Sequence, residues 1–213
     1  MSEASVLPVG DPAPIDFYFD FISPFGYFAS LRIDALAASH GRTVEWRSML
    51  VGVTVLKVMG LKPLMEIPLR GDYLKHDAAR YMRRHGIVMK RPIARPPTSP
   101  VIAGRAFHWL RVHAPDRARA AAAALYAAYW VEDIPLDTVE LVADIAGLGV
   151  AADRRAVLDG IASGEAAALL RQEVDASIAR GIFGSPSFLV DGELFFGVDK
   201  LDLLEEWLAI GGW

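Results

Sequence analysis

Ten residues near the C-terminus, SFLVDGELFF at 187–196, place two short apolar runs on either side of Asp191-Gly192. Asp-Gly between such runs is the strongest short-range signal for a two-residue β-hairpin. A lone hairpin cannot bury its faces, so it needs further strands or a helix. Other strand-like runs stand at the opposite end of the chain: IDFYFDF at 15–21, nearly continuous apart from Asp16 and Asp20, and TVEW at 43–46. Such a near-continuous run fits a strand covered on both faces in an α/β sheet. The sheet must therefore be assembled from the two ends of the chain, with everything between them packed against it.

Helical periodicity fills the middle. After 15–21 a helix is expected over 27–40, with apolar Phe28, Leu31, Leu36 and Ala37 on one face and Gly41 as its stop. The opening is then strand-helix-strand, with a parallel pair and a right-handed crossover as the default. Further helices are expected over 73–86, 105–113, 117–131, 137–146, 154–162 and 165–180, and Asp137 with Glu140 has the spacing of a capping pair. The stretch RPIARPPTSP at 91–100 is too rich in proline for a helix and reads as an extended connection. A last helix over 200–209 closes the chain. The layout is α/β: a thioredoxin-like domain from 15–54 and 181–213, with an all-helical insertion at 55–180, after a disordered leader at 1–14.

With 53% hydrophobic residues and a net charge of −4, the chain of 213 residues can bury a sizeable core and has no basic field for nucleic acid. Its one basic cluster is Arg83, Arg84, Lys90, Arg91 and Arg95. No signal peptide and no bilayer-length apolar run is visible, and a cytoplasmic location is expected. The five histidines lack ligand spacing, so no metal is expected. There is no cysteine, which excludes disulfides and any dithiol chemistry of the chain's own. Tyr126, Tyr129 and Trp130 read as core or dimer contacts rather than a cofactor site.

The layout puts Ser23 just after the first strand, at the start of the first helix, where free N–H groups favour an anion. Pro24 behind it suits a first helical turn. On the Ser-Pro dipeptide alone, Ser23 reads first as a plain N-cap. The second marker is Ser185-Pro186 before the hairpin, expected to be cis.

Three pieces, FYFDFISPFGYF, LVGVTVLKVMG and GIFGSPSFLVDGELFFGVDKLDLLEEW, resemble the 2-hydroxychromene-2-carboxylate isomerases. These are relatives of the kappa-class glutathione transferases with a DsbA-like thioredoxin domain. In dithiol members of the wider fold, cysteines stand at the positions of Ser23 and Gly26. The resemblance implies that Ser23 instead stabilises the thiolate of glutathione, the expected cofactor. It implies further that the Ser185 backbone meets the cysteinyl part, and that Phe196, Gly197, Val198 and Asp199 line the γ-glutamyl end, with Asp199 at its ammonium. Asp199 also reads as an N-cap of the last helix. Lys57 is expected near the carboxylate of a small aromatic substrate, and Arg95 as a second substrate contact. Val198 replaces a commonly polar residue and Leu61 the usual asparagine. A homodimer is the expected assembly. A kappa-like transferase and a redox-inactive thioredoxin-like binding module are the alternative activities.

Overall fold

The computed structural model describes residues 13–147 and 154–213. The expected leader falls almost wholly on residues 1–12, outside the described residues. Four strands, β1 (Ile15–Phe19), β2 (Val44–Ser48), β3 (Ser187–Val190) and β4 (Glu193–Phe196), form one sheet in the order β2-β1-β3-β4. β1 and β2 are parallel, with Ile15 opposite Val44 and Phe19 opposite Ser48. β3 lies antiparallel to β1, Phe188 opposite Phe17, and the Asp191-Gly192 turn returns the chain as β4. The two ends of the sequence thus meet at the β1–β3 seam.

The pattern of β1 follows from what covers each face. Ile15, Phe17 and Phe19 enter the main core, where Phe17 stacks on Phe188 at 5.5 Å and meets Trp46 edge-on at 5.0 Å. Burying each such side chain contributes about 1.5–3 kcal/mol. Tyr18 faces the other way, against Met49 and Ile182. Asp16 shares that second face and is tolerated because Arg47 and Arg180 bond its carboxylate at 2.8 and 2.9 Å. Arg47 and Arg111 in turn reach Glu173, so ion pairs cover this side of the sheet.

Between β1 and β2 run α1 (Pro24–Ser30) and α2 (Ile33–Ser39). The single helix expected over 27–40 starts earlier and is broken at Leu31–Arg32. Arg32 leaves the helical region with φ −122°, and its guanidinium reaches Asp202 at 2.9 Å and Tyr81 at 3.4 Å. Tertiary contacts here outweigh propensity. After β2 comes a π-helix, Gly52–Val58, and then α3 (Arg70–His85), α4 (Val101–His113) and α5 (Pro115–Tyr126), the last continuing as a π-turn at Ala127–Val131. α6 (Val139–Ile145), α7 (Arg154–Ala162) and α8 (Gly164–Ala179) follow, and α9 (Leu201–Ile210) closes the fold after β4. The cap expected from Asp137 and Glu140 does not form: Thr138 is the N-cap, its hydroxyl accepting from the Leu141 N–H at 3.2 Å.

Phe107 of α4 and Tyr126 of α5 pack directly on Phe19, so the helical segment and the sheet share one continuous core. The basic cluster is largely neutralised. Lys90 pairs with Glu132, while Arg91 and Arg95 both pair with Asp133. Arg91 is buried, lies 4.2 Å over the Tyr129 ring and donates to the Pro96 carbonyl at 2.9 Å, which pins the proline-rich connection. Among the described residues no helix is long and apolar enough to cross a membrane.

Candidate active site

β1 ends at Phe19, two residues short of its apolar run, because Asp20 turns the chain. The Asp20 carbonyl accepts from the Ser23 N–H at 2.9 Å, closing a tight turn that delivers Ser23 to the start of α1. Ser23 is extended (φ −89°, ψ 116°), and its Oγ accepts from the Gly26 N–H at 3.0 Å, so the capping role is real. The same hydroxyl donates to the Ser185 carbonyl at 2.9 Å. Pro24 occupies the first helical turn, as expected.

Ser185-Pro186 is cis. Ser185 grips the turn from the other side, its Oγ accepting from the Asp20 N–H at 3.0 Å. Its own N–H has no partner among the described residues. The Pro186 carbonyl accepts from the Gly197 N–H at 3.0 Å, which brings the Phe196–Asp199 segment to the same corner. Gly197 has φ 108°, a conformation side-chain-bearing residues rarely adopt. Phe196 is exposed, packs at 4.5 Å on Phe183 and leaves no room for a side chain at Gly184. Val198 is buried. Asp199 does not cap α9: no side chain caps that helix, and Asp199 pairs with the adjacent Lys200 at 2.7 Å.

Two elements of the site were not read as such from the sequence. Asp20 is fully buried, and its carboxylate accepts from the Ile22 N–H at 3.1 Å and the Val51 N–H at 2.7 Å. Burial pushes this carboxyl up to about 7, against the two N–H bonds that favour its charged form. Tyr126 and Trp130 hold the turn from behind, donating to the carbonyls of Asp20 and Phe21, each at 3.0 Å. Burial, with the nearby Asp20 charge, lifts the Tyr126 hydroxyl well above its ordinary value. The only signal available in the sequence was the interruption of an apolar strand by Asp20.

Gly26 sits inside this hydroxyl cluster. A Cβ there would lie 2.6 Å from Ser185 Oγ and 2.7 Å from Tyr126 Oη. Lys57 is exposed near the end of the π-helix, with no ion pair or side-chain hydrogen bond among the described residues. Its neighbours Leu56, Val58, Met59 and Leu61 are exposed as well. Hydrogen bonds thus join Ser23, Ser185 and the Pro186–Gly197 corner in one cluster; Lys57 is not bonded to it among the described residues and shares with it only the helix that Val51, whose N–H donates to Asp20, opens, while Arg95 is engaged with Asp133. A cavity of about 450 Å³ between α4 and α8, lined by His108, Arg111 and Glu173, includes none of these residues.

Residues 14–209 match the DSBA-like thioredoxin domain. The chain belongs to that family. Within it, the chain is similar to two 2-hydroxychromene-2-carboxylate isomerases. That of Pseudomonas putida is 29% identical over 90% of this chain and 92% of its own, and that of Sphingobium xenophagum is 29% identical over 91% and 97%. A solved structure of a 2-hydroxychromene-2-carboxylate isomerase superposes with a TM-score of 0.73 at 28% identity, covering 92% of this chain and 94% of that one. As a DSBA-like domain without cysteine, this chain cannot exchange disulfides through thiols of its own.

Proposed function

We propose that the protein is a glutathione-dependent isomerase of the 2-hydroxychromene-2-carboxylate type, acting on a small aromatic carboxylate from aromatic degradation. The observation that carries the reading is the Ser23 hydroxyl. It accepts from the Gly26 N–H, which leaves its own proton free to be redirected. That proton now rests on the Ser185 carbonyl, and a short rotation about the Ser23 Cα–Cβ bond would aim it at a sulfur atom instead.

The residues present fit a tripeptide thiol. The Ser185 N–H, without a partner among the described residues, can bond a peptide carbonyl. Asp199, exposed beyond Gly197, can meet an ammonium by exchanging it for Lys200. α1 is only two turns long, so its dipole adds modestly to what Ser23 does. Glutathione would supply the thiol nucleophile, whose reversible addition to a conjugated double bond permits rotation about it. Ser23 would hold the sulfur as thiolate by donating its O–H, the Gly26 N–H would keep that hydroxyl polarised, and the Ser185 backbone would fix the thiol carrier. Lys57 offers an ammonium without an ion pair among the described residues, amid exposed Leu56, Met59 and Leu61, a surface suited to an apolar ring that carries a carboxylate. With Leu61 in place of a polar side chain, the ring would be met mainly by dispersion contacts.

The test is turnover of hydroxychromene-type substrates with and without glutathione, with the free thiol assayed throughout. Isomerisation that requires glutathione and leaves its concentration unchanged supports the reading. Consumption of the thiol would mark a conjugating transferase instead. No turnover, together with no thermal shift in millimolar glutathione, would mark a binding module.

A further inference from the structure

Every polar atom of Asp20 is engaged, each with a different part of the site. Its N–H donates to Ser185 Oγ, and its carbonyl accepts from the Ser23 N–H and Tyr126 Oη. One carboxylate oxygen accepts from Ile22, in the turn that ends at Ser23. The other accepts from Val51, the residue that opens the helix bearing Lys57. These two N–H groups stand on chain segments separated by the whole of α1, α2 and β2, and the carboxylate bonds them both.

We propose that Asp20 is a positioning residue of this site: its carboxylate fixes the distance between the Ser23 turn and the Lys57 helix, and with it the alignment of thiol and substrate. The inference rests on the reading of Ser23 as the thiol-contacting residue. Both bonds need an acceptor, and only the ionised carboxylate presents two oxygens free of protons. Protonation turns one oxygen into an O–H that opposes the N–H it served. The segments then separate on one side.

The surroundings make that protonation accessible near neutral pH. Asp20 is fully buried and pairs with no cation among the described residues. The titratable group packed against it is Tyr126, from the end of α5. The serine turn and the Ser185 loop bring uncharged hydroxyls, and the segment after β2 brings the Val51 backbone N–H. Nothing but the two amide bonds opposes burial, so the carboxyl is held at about 7.

The test compares the wild type with Asp20→Asn, which is isosteric but offers one acceptor where the carboxylate offers two. At mildly alkaline pH the variant should lose about tenfold or more in kcat. Its KM for glutathione should stay within roughly threefold, because the expected glutathione contacts at Ser185 and 196–199 are untouched. The wild-type kcat should rise through neutral pH, and that limb should vanish in Asp20→Asn although the ultraviolet absorbance of bound thiolate still titrates. Wild-type kcat and pH profile in a cooperatively folded Asp20→Asn would overturn the proposal. So would Ile22 and Val51 amide resonances in the wild-type protein that do not titrate together near neutral pH. This second measurement decides the matter if the variant fails to fold. It needs no turnover, so it also separates failure of the Asp20 proposal from failure of the isomerase reading.

Discussion

Ser23 Oγ and the Ser185 carbonyl are 162 positions apart in sequence and 2.9 Å apart in space. That single bond holds the start of α1 against the loop that feeds the hairpin, and it uses the proton the proposed chemistry needs. Ser23→Ala should therefore act on both stability and rate. Loss of the cap costs about 1 kcal/mol, read as a lower denaturant midpoint. Loss of a hydrogen bond to a thiolate costs roughly 1.5–3 kcal/mol in the transition state, or about one to two orders of magnitude in kcat. Full glutathione-dependent activity in Ser23→Ala would reduce the serine to a cap.

Ser23→Cys provides a probe in a chain that has no other thiol. Against the Gly26 N–H, the introduced thiolate should be favoured, so its pKa should fall below the reference of about 8.5. The rate of alkylation against pH measures this directly, and oxidised glutathione should form a mixed disulfide with the variant. Titration as an ordinary free thiol would show that the helix start offers an anion nothing.

Gly26→Ala should destabilise the protein by about 1–3 kcal/mol, because the added methyl meets Ser185 Oγ and the immobile Tyr126 Oη. Tyr126→Phe removes one of those atoms, and also the bond to the Asp20 carbonyl. The double variant should then be less destabilised than the sum of the two single changes. Strict additivity, measured by urea unfolding, would mean that the methyl is accommodated elsewhere.

Stability against pH should show two opposed contributions. The folded pKa of Asp20, about 7, lies above that of the unfolded chain, so the native state holds the extra proton. Stability from this group is greatest below pH 4 and is lost as pH rises to 7, by at most about 4 kcal/mol. His108 is buried with its ring against the Ser48 carbonyl, and burial holds it down to about 4. Its native state is neutral, so the stability it contributes is lost as pH falls from the ordinary histidine range towards 4. Asp20→Asn should leave a curve that rises with pH through this window, and His108→Gln one that falls. Parallel curves for the two variants would refute the assignment.

Arg91 and Arg95 share Asp133 but not their surroundings. Arg91→Ala removes a buried cation from over the Tyr129 ring and frees the Pro96 carbonyl; it should cost about 3 kcal/mol or more. Arg95→Ala removes an exposed partner and should cost under about 1 kcal/mol. Equal losses of thermal midpoint would contradict this account of the loop.

The fold was legible where local chemistry and tertiary context agree. The Asp191-Gly192 turn, the apolar run of β1 and the glycine stop after α2 all have one physical reading, and each lies where that reading puts it. The break at Arg32 was not legible: the partners its guanidinium meets there, Tyr81 and Asp202, lie 49 and 170 positions away, beyond the reach of any local pattern. Thr138 took the cap from Asp137 because a threonine hydroxyl serves as well as a carboxylate, and spacing cannot choose between neighbours. In the site, Ser23 and Ser185 were marked by the prolines that follow them. Tyr126 and Trp130 were hidden among core aromatics, since a sequence shows that a ring is buried and not where its polar atom points.

The packing around Gly26 bears on how such a chain could change. A dithiol of the kind other members of the fold carry would take cysteines at both 23 and 26. The second must pass through an intermediate in which its Cβ overlaps two hydroxyls that now serve Asp20 and the serine turn. A side chain at 26 would therefore displace Tyr126 or Ser185, and with it a hydrogen bond that frames the present site. What separates the two chemistries is therefore steric as well as chemical: the space a second sulfur would need is already taken by the hydroxyls that hold the Asp20 turn.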